Sequence, residues 1–296
     1  MTPSENIVSM DAGGRMARRE DGRLGGILLA DGKLGDGDID LVLALQRVRG
    51  IRFGEAAVRL RLITAEDLRG AIAKQYGQHY LPPGSPGISS ELVGAYNPFH
   101  PRAEELRALR TQLLIRWANA GVSHRMLAIV SPGAGEGRSY LAANLAVVFS
   151  QLGQRTLLID ADLRKPRQHR IFDVPDRIGL SAVLSGRADR GAVVPLPQFG
   201  SLSLLPAGAC PPNPQELLLR PALTALLEES RQAFDVILFD TPPATLSADA
   251  LSLAFRAGSA IVLARKDHTG TAAAANTIRS LTDTGTHVVG TVFNAF

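Results

Sequence analysis

The chain has 296 residues, 45% of them apolar and 20% charged, which supports a sizeable core under a solvated surface. A net charge of +4, carried almost wholly by arginine, is compatible with anionic ligands, nucleic acid or a membrane surface and selects none of them; a solvated Arg-rich surface is the plain reading. The single cysteine, Cys210, excludes an intrachain disulfide and a thiolate zinc site, no run approaches the ~20 apolar residues that span a bilayer, and Met1 to Glu20 lacks the apolar stretch of a secretory signal, so a cytoplasmic chain is expected.

Residues 1–22 are polar and Gly-rich and read as a flexible arm. Residues 23–80 are dense in short helical patterns and contain an internal repeat. RLGGILLADGKLGDGDIDLVLALQ (23–46) returns as RFGEAAVRLRLITAEDLRGAIAKQ (52–75) at a constant offset of 29, which pairs Arg23 with Arg52, Gly25 with Gly54, Asp38 with Asp67 and Gln46 with Gln75. Ile39, Val42 and Leu43, and again Leu68, Ala71 and Ile72, have helical spacing, with Asp36 and Thr64 as expected caps. Two helical hairpins packed on each other follow. Residues 81–100 carry Pro, Gly and Ser and read as a linker with at most one short helical turn.

From residue 101 to 296, apolar runs alternate with amphipathic stretches, the signature of an α/β domain with a mostly parallel sheet. The expected strands are 126–130, 156–160, 202–205, 236–240, 260–264 and 288–292. Helices are expected at 103–117, 139–152, 215–231, 248–257 and 272–284. Between the first strand and the helix after it lies SPGAGEGRS, residues 131–139. Strand, glycine-rich turn and helix form the context in which backbone N–H groups and a helix N-terminus cradle phosphates. Gly133, Gly135 and Gly137 permit the tight bend, and Ser139 would put its hydroxyl on Mg²⁺. Arg138 stands where such loops carry Lys, and Pro132 where they carry their first Gly; Arg keeps the charge in a bulkier, forked form.

Two further strands end in acids. LLID at 157–160 continues as Ala161, Asp162, Leu163, Arg164, and VILFD at 236–240 ends in Asp240. One strand-end Asp is usually a cap or turn residue. Three of them on two strands after a phosphate loop point to a carboxylate-held cation beside a nucleotide.

Together these three motifs resemble the bacterial tyrosine kinases of capsule and exopolysaccharide synthesis, relatives of the MinD/ParA-type P-loop ATPases. The D-x-D-x-R run is their distinguishing motif. Glu104, Arg107 and Arg110 resemble the family's E-x-x-R-x-x-R helix, which builds ring oligomers, although i,i+3 ion pairing on a surface has the same spacing. Residues 212–218 (PNPQELL) and 289–294 (VGTVFN) match further family segments, and the loop together with the repeat is similar to EpsG-type chain-length-determinant kinases. The resemblance spans roughly residues 95–296 and implies an ATP site of Gly133, Gly135, Glu136, Gly137, Arg138, Ser139 and Tyr140, with Asn294 toward the adenine. It implies Mg²⁺ on Ser139, Asp162 and Asp240, and catalysis by Asp160, Asp162 and Arg138. Asp160 is the expected proton acceptor, in a role exchangeable with that of Asp162.

The repeat resembles the cyclic di-GMP-binding N-terminal domain of type II secretion and pilus-extension ATPases, R-L-G-x-x-L-x-x-x-G-x-L/I and onward to Q, twice. In the second copy Phe53, Ala57 and Arg61 depart from that pattern. The resemblance implies a ligand set of Arg23, Leu24, Gly25, Gln46, Arg52, Gly54 and Gln75. The arginines would meet phosphates or bases, the glycines would admit the ligand close to backbone, and the glutamines would supply amides. A plain helical docking module accounts for the same residues through packing and capping.

Family members usually end in a run of tyrosines, whereas HVVGTVFNAF holds none; the tyrosines here are Tyr76, Tyr80, Tyr96 and Tyr140, with Tyr96 in the linker the most available. The expected function is therefore an ATP-dependent protein-tyrosine autokinase governing exopolysaccharide chain length or export, tuned by cyclic di-GMP. The alternative is a non-catalytic ATP-driven assembly switch, which Arg138 and the absent tyrosine tail favour. A ParA/MinD-like positioning ATPase is the less expected reading, because residues 131–135 of this chain hold no signature Lys. The implied partners are the cytoplasmic tail of a membrane chain-length-determinant protein, which would hold the chain at the inner membrane, and further copies of the chain. No nucleic acid is expected.

Overall fold

The computed structural model describes residues 23–75, 80–82, 84–97, 99–119 and 125–295. The expected arm, residues 1–22, and Tyr76 lie outside them. The chain forms two compact units divided between residues 77 and 78.

The first unit holds helices α1 (Leu24–Ala30), α2 (Asp36–Arg49), α3 (Phe53–Arg59) and α4 (Ala65–Gln75). The repeat is visible in its core. Leu28, Leu34 and Val42 of the first copy and Ala57, Ile63 and Ala71 of the second are all buried, each pair 29 residues apart. The caps are paired as well. Asp38 Oδ2 accepts the Gly35 N–H at 2.7 Å, and Asp67 Oδ2 accepts the Thr64 N–H at 2.9 Å while Thr64 Oγ1 accepts the Asp67 N–H at 3.0 Å. The expected cap Asp36 instead lies inside the first turn of α2, where its charge suits the helix dipole. The turn residues Gly32 and Arg61 both have positive φ, +66° and +59°.

The second unit begins with α5 (Val93–Tyr96) and α6 (Pro101–Asn119), continues through β1 (Arg125–Val130), α7 (Arg138–Ser150), β2 (Thr156–Asp160), α8 (Gln168–Phe172), α9 (Leu180–Leu184), β3 (Val194–Leu196), β4 (Leu202–Leu205), α10 (Pro214–Leu219) and α11 (Pro221–Ala233), and ends with β5 (Val236–Asp240), α12 (Asp249–Ala257), β6 (Ser259–Arg265), α13 (Thr271–Asp283) and β7 (His287–Asn294). The strands run β3-β4-β2-β5-β1-β6-β7, parallel apart from the β3–β4 pair. Alternate residues of the central strands feed two apolar layers. Leu127, Ile129, Leu158 and Leu238 meet α6 and α7 on one face, whereas Ala128, Val130, Leu157, Ile159, Ile237 and Phe239 meet α11 and α12 on the other. Leu141 to Ser150 of α7 are buried on every side.

Three expectations change. The helix expected at 215–231 is two helices, because Pro221 drives Arg220 to an extended conformation (ψ 149°). The short elements β3, α8 and α9 were not expected. Of residues 81–100, read as linker, the described stretch 84–97 and Leu81 are packed into the second unit: Leu92 and Ala95 are fully buried, the Leu81 N–H bonds the Ala95 carbonyl at 2.8 Å, and Asn144 Nδ2 bonds the Glu91 carbonyl at 2.9 Å. Apolar residues spaced among the Pro and Gly of this segment have a hydrophobic surface to cover.

Candidate functional site

The glycine bend sits where β1 ends and α7 begins. Gly135 and Gly137 adopt φ of +72° and +101°, left-handed values that a Cβ penalises, and Gly137 is the N-cap of α7. The N-terminal amides of a 13-residue helix thus open at the carboxyl ends of β1, β2 and β5. The segment after β5 braces the bend: the Ala244 N–H bonds the Ser131 carbonyl at 3.0 Å, and Thr245 Oγ1 bonds the Pro132 carbonyl at 2.7 Å. From the far side Arg265 Nη1 bonds the Gly135 carbonyl at 3.0 Å, and Asn294 Nδ2 bonds the Glu136 carbonyl at 3.1 Å.

Two charged residues of the loop turn inward. The Glu136 carboxylate, 2% exposed, accepts the Gly133 N–H at 2.7 Å and the Thr269 hydroxyl. Arg138, 8% exposed, donates from Nε to the Thr241 carbonyl at 2.8 Å and from Nη1 to Ser131 Oγ and the Gly133 carbonyl. Its guanidinium therefore ties the loop's start to the end of β5. Burial pulls its pKa down, against the charges of Asp240, Asp162 and Glu136, which hold it up.

The three aspartates converge beside this bend. Asp160 and Asp240 are register partners at the ends of adjacent strands, and both are buried. Asp160 Oδ2 accepts the N–H groups of Arg167 (3.0 Å) and Gln168 (2.9 Å). Asp240 Oδ2 accepts Gln168 Nε2 at 2.8 Å, and the Ser139 hydroxyl lies beside its carboxylate. Asp162, 7% exposed, folds Oδ1 onto the N–H groups of Arg164 and Lys165 at 3.2 and 2.9 Å. Burial, and next the charge of Asp240, push the Asp160 carboxyl well above its usual range; burial raises Asp240 to about 6 against hydrogen bonds from Gln168 and Ser139. The other oxygen of each, Asp160 Oδ1 and Asp240 Oδ1, is buried without a hydrogen-bond partner. Orphaned carboxylate oxygens beside a serine hydroxyl form a hard-oxygen donor set that suits Mg²⁺, which takes one or two carboxylates and completes its shell with phosphate and water.

Gln168, which belongs to no motif, and Arg164 complete the site. Gln168 bridges both strand-end acids and also bonds the Ser139 carbonyl at 3.1 Å. Arg164 of the D-x-D-x-R run pairs with the buried Asp249 at 2.9 Å and so fixes the loop that carries Asp162. An apolar strand followed by a basic run signals neither contact, since both partners are remote in sequence. Tyr140 follows Ser139 on α7, half-buried.

Other residues singled out in the sequence lie outside this cluster. On α6, Arg107 Nη1 bonds Glu104 at 2.8 Å, Arg110 Nη1 bonds the Val148 carbonyl at 2.7 Å, and Glu104 faces outward, 75% exposed. Tyr96 is half-buried, its hydroxyl donating to the Ile88 carbonyl at 2.9 Å, because its segment is packed and not a free linker. In the helical unit, a Cβ on Gly54 would fall 2.3 Å from a Leu68 methyl, and one on Gly25 would fall 3.2 Å from the Phe53 ring. These glycines allow helices to approach one another. Arg23, Arg52 and Gln75 are exposed, Leu24 packs on the core, and Gln46 lines a shallow pocket with Leu43, Arg47, Gly50 and Ile51.

A mostly parallel sheet with a glycine bend at an inner strand's end, and acids at the ends of the next two strands on one side of it, defines a P-loop NTPase of MinD/ParA type. The family model described as ParA, NUBPL iron-transfer P-loop NTPase, matches residues 122–295. Tyrosine-protein kinase YwqD of Bacillus subtilis (strain 168) is 34% identical over 207 residues, which cover 70% of this chain and 86% of YwqD. The BceF tyrosine kinase domain is 30% identical, with a TM-score of 0.63 over 78% of this chain and 89% of that one. The chain belongs to the bacterial tyrosine-kinase family, built on a ParA-type P-loop domain. EpsB of Ralstonia solanacearum is 37% identical over 204 residues, 69% of this chain, and the chain spans 27% of EpsB's length. Among the described residues no helix is long and apolar enough to cross a membrane.

Proposed function

We propose that the chain is an ATP-dependent protein-tyrosine autokinase serving exopolysaccharide export, working as a homo-oligomer with a membrane chain-length-determinant partner that holds it at the inner membrane. The observation that carries this reading is the meeting of Ser139, Asp162, Asp160 and Asp240 at the N-terminus of α7 beside the Gly133–Gly137 bend. The bend and Arg138 hold the phosphates of ATP, Tyr140 and Asn294 bound the nucleotide, and Ser139, Asp162 and Asp240 hold Mg²⁺. When bound, Mg²⁺ supplies positive charge that neutralises phosphate oxygens and draws the acids into their carboxylate form. Asp160 then accepts the proton of a tyrosine hydroxyl, whose oxygen bonds the γ-phosphorus as the bridging P–O bond breaks and ADP leaves. Incubation with γ-labelled ATP and Mg²⁺, with and without the partner's tail, tests it. Label on tyrosine that vanishes in Asp162→Ala is expected, and binding without transfer would sink it.

That second outcome defines the alternative, an ATP-driven assembly switch. It is favoured by the occupation of the Arg138 guanidinium on Ser131, Gly133 and Thr241. For the helical unit we propose control by cyclic di-GMP. The exposed Arg23 and Arg52, at repeat-equivalent positions just before α1 and α3, would meet its phosphates, and Gln46 and Gln75 its bases. Calorimetry of the full chain with cyclic di-GMP is expected to show heat that falls in Arg23→Ala; no heat in the wild type would leave a docking module.

A further inference from the structure

The described tyrosines differ in what their hydroxyls touch. Tyr96 gives its hydroxyl to the Ile88 carbonyl, and Tyr140 is half-buried on α7 next to the site. Tyr80 is half-buried at the edge of the second unit, and its oxygen accepts Arg107 Nη2 at 3.2 Å. Arg107 also bonds the outward Glu104, and Arg110 follows three residues later on α6, so two guanidinium groups and one carboxylate lie on this helix where it meets the phenol. The cluster carries an excess of positive charge directed at a neutral oxygen. Guanidinium forks match a phosphoryl group in geometry and charge better than they match a phenol.

We propose that Tyr80 is a phosphoacceptor of this kinase, and that Arg107 and Arg110 form the seat for its phosphate; the proposal rests on the kinase reading above. Arg110 is anchored on Val148, near the C-terminal end of α7, whereas the glycine bend caps its N-terminal end. The stretch of helix from Ser139 to Val148 spans about 14 Å. A chain's own nucleotide is therefore out of reach of its own Tyr80, and the donor is ATP held by a second copy. The Tyr80 oxygen bonds the γ-phosphorus, the bridging P–O bond of ATP breaks, ADP departs, and the phenolic proton passes to the donor copy's Asp160. The product carries about −1.5 to −2 charges. Arg107 then exchanges its bond to Glu104 for the phosphate, which leaves Glu104 without its partner on the helix that the family resemblance assigns to subunit contacts.

The test uses the full chain with γ-labelled ATP·Mg²⁺ and poly(Glu,Tyr) as an external acceptor, with the modified residues located by mass spectrometry. Label at Tyr80, with a rate that rises as the square of protein concentration, and its loss in Tyr80→Phe while poly(Glu,Tyr) is still labelled, are expected. Once phosphorylated by trace wild type, Arg107→Gln is expected to lose the Tyr80 phosphate to a phosphatase about tenfold faster than the wild type, the worth of one charge-assisted hydrogen bond. Label on poly(Glu,Tyr) and on residues other than Tyr80 overturns this site and leaves the kinase reading intact. No label on either acceptor overturns both. Equal phosphatase rates overturn the arginine seat.

Discussion

Arg61 holds the place in the second repeat that Gly32 holds in the first, and it keeps the same left-handed backbone, φ +59° against +66°. An L side chain there costs roughly 1–2 kcal/mol, part of which glycine's greater freedom in the unfolded chain takes back. Arg61→Gly is expected to stabilise the helical unit by about 0.5–1 kcal/mol, whereas Gly32→Ala should destabilise it; amide hydrogen exchange in α4 reads both, and a destabilised Arg61→Gly would deny the strain. Gln168 is the second residue whose role only the fold discloses. Its amide holds the Asp240 carboxylate and the Ser139 carbonyl. Gln168→Leu should cost about 1–3 kcal/mol in urea unfolding, because it leaves the buried acid short of a donor. Asp160 and Asp240 are legible in sequence because each closes an apolar run, and Asp162 because it follows two residues after such an end, both purely local patterns. Gln168 is not, because an amide among arginines acquires its function only when α8 brings it between two strands. Arg138 was legible as a loop cation, but its inward bonds depend on Thr241, which is 103 residues away.

At the scale of elements, local chemistry decided which predictions from sequence survive. Strands β1, β2, β4 and β5 are continuous apolar runs, and their ends fall within a residue of expectation. The element β3 is three residues with a central proline at the sheet's edge, too short for any period to register. The apolar period through 215–231 is real on both sides of Pro221, and the missing N–H of that residue breaks it into two helices. The repeat gave the four helices of the first unit because its caps recur with its core. The Thr64–Asp67 cap of α4 carries a pH dependence. Asp67 titrates near 2 in place of 3.8, held down by hydrogen bonds from Lys33 and then Thr64. A depressed carboxyl contributes stability that is complete above pH 3.8 and lost as pH falls through about 2. Protection of the α4 amides is expected to fall over that window. Thr64→Ala should remove about 1 kcal/mol at neutral pH, and an α4 equally protected at pH 2 and pH 5 would contradict this account of the cap.

At the scale of the whole molecule, the apolar clusters fall on two separate stretches of chain. Leu28, Val42, Ile63 and Ala71 belong to one unit, and the two layers about the parallel sheet belong to the other. Each cluster collapses around its own residues, so a ligand that binds one should stabilise that unit directly. The proposed nucleotide site draws on β1, β2, β5 and α7, the most deeply buried elements of the second unit. Local opening of that core exposes the site, so bound nucleotide opposes every such opening. At a hundredfold excess over Kd, ATP·Mg²⁺ is expected to add about 2.7 kcal/mol to the protection of amides in β1, β2 and β5. Helices α1 to α4 should gain nothing from ATP, and cyclic di-GMP should produce the converse pattern. Asp240→Asn should abolish the part of the gain that depends on Mg²⁺ while keeping the part that depends on ATP, because the glycine bend remains and only the carboxylate is lost. Hydrogen exchange read by mass spectrometry separates these arms. Protection rising equally in α4 and β5 when ATP is added would show that the units open as one, and no rise in β1, β2 or β5 would remove the nucleotide from this site.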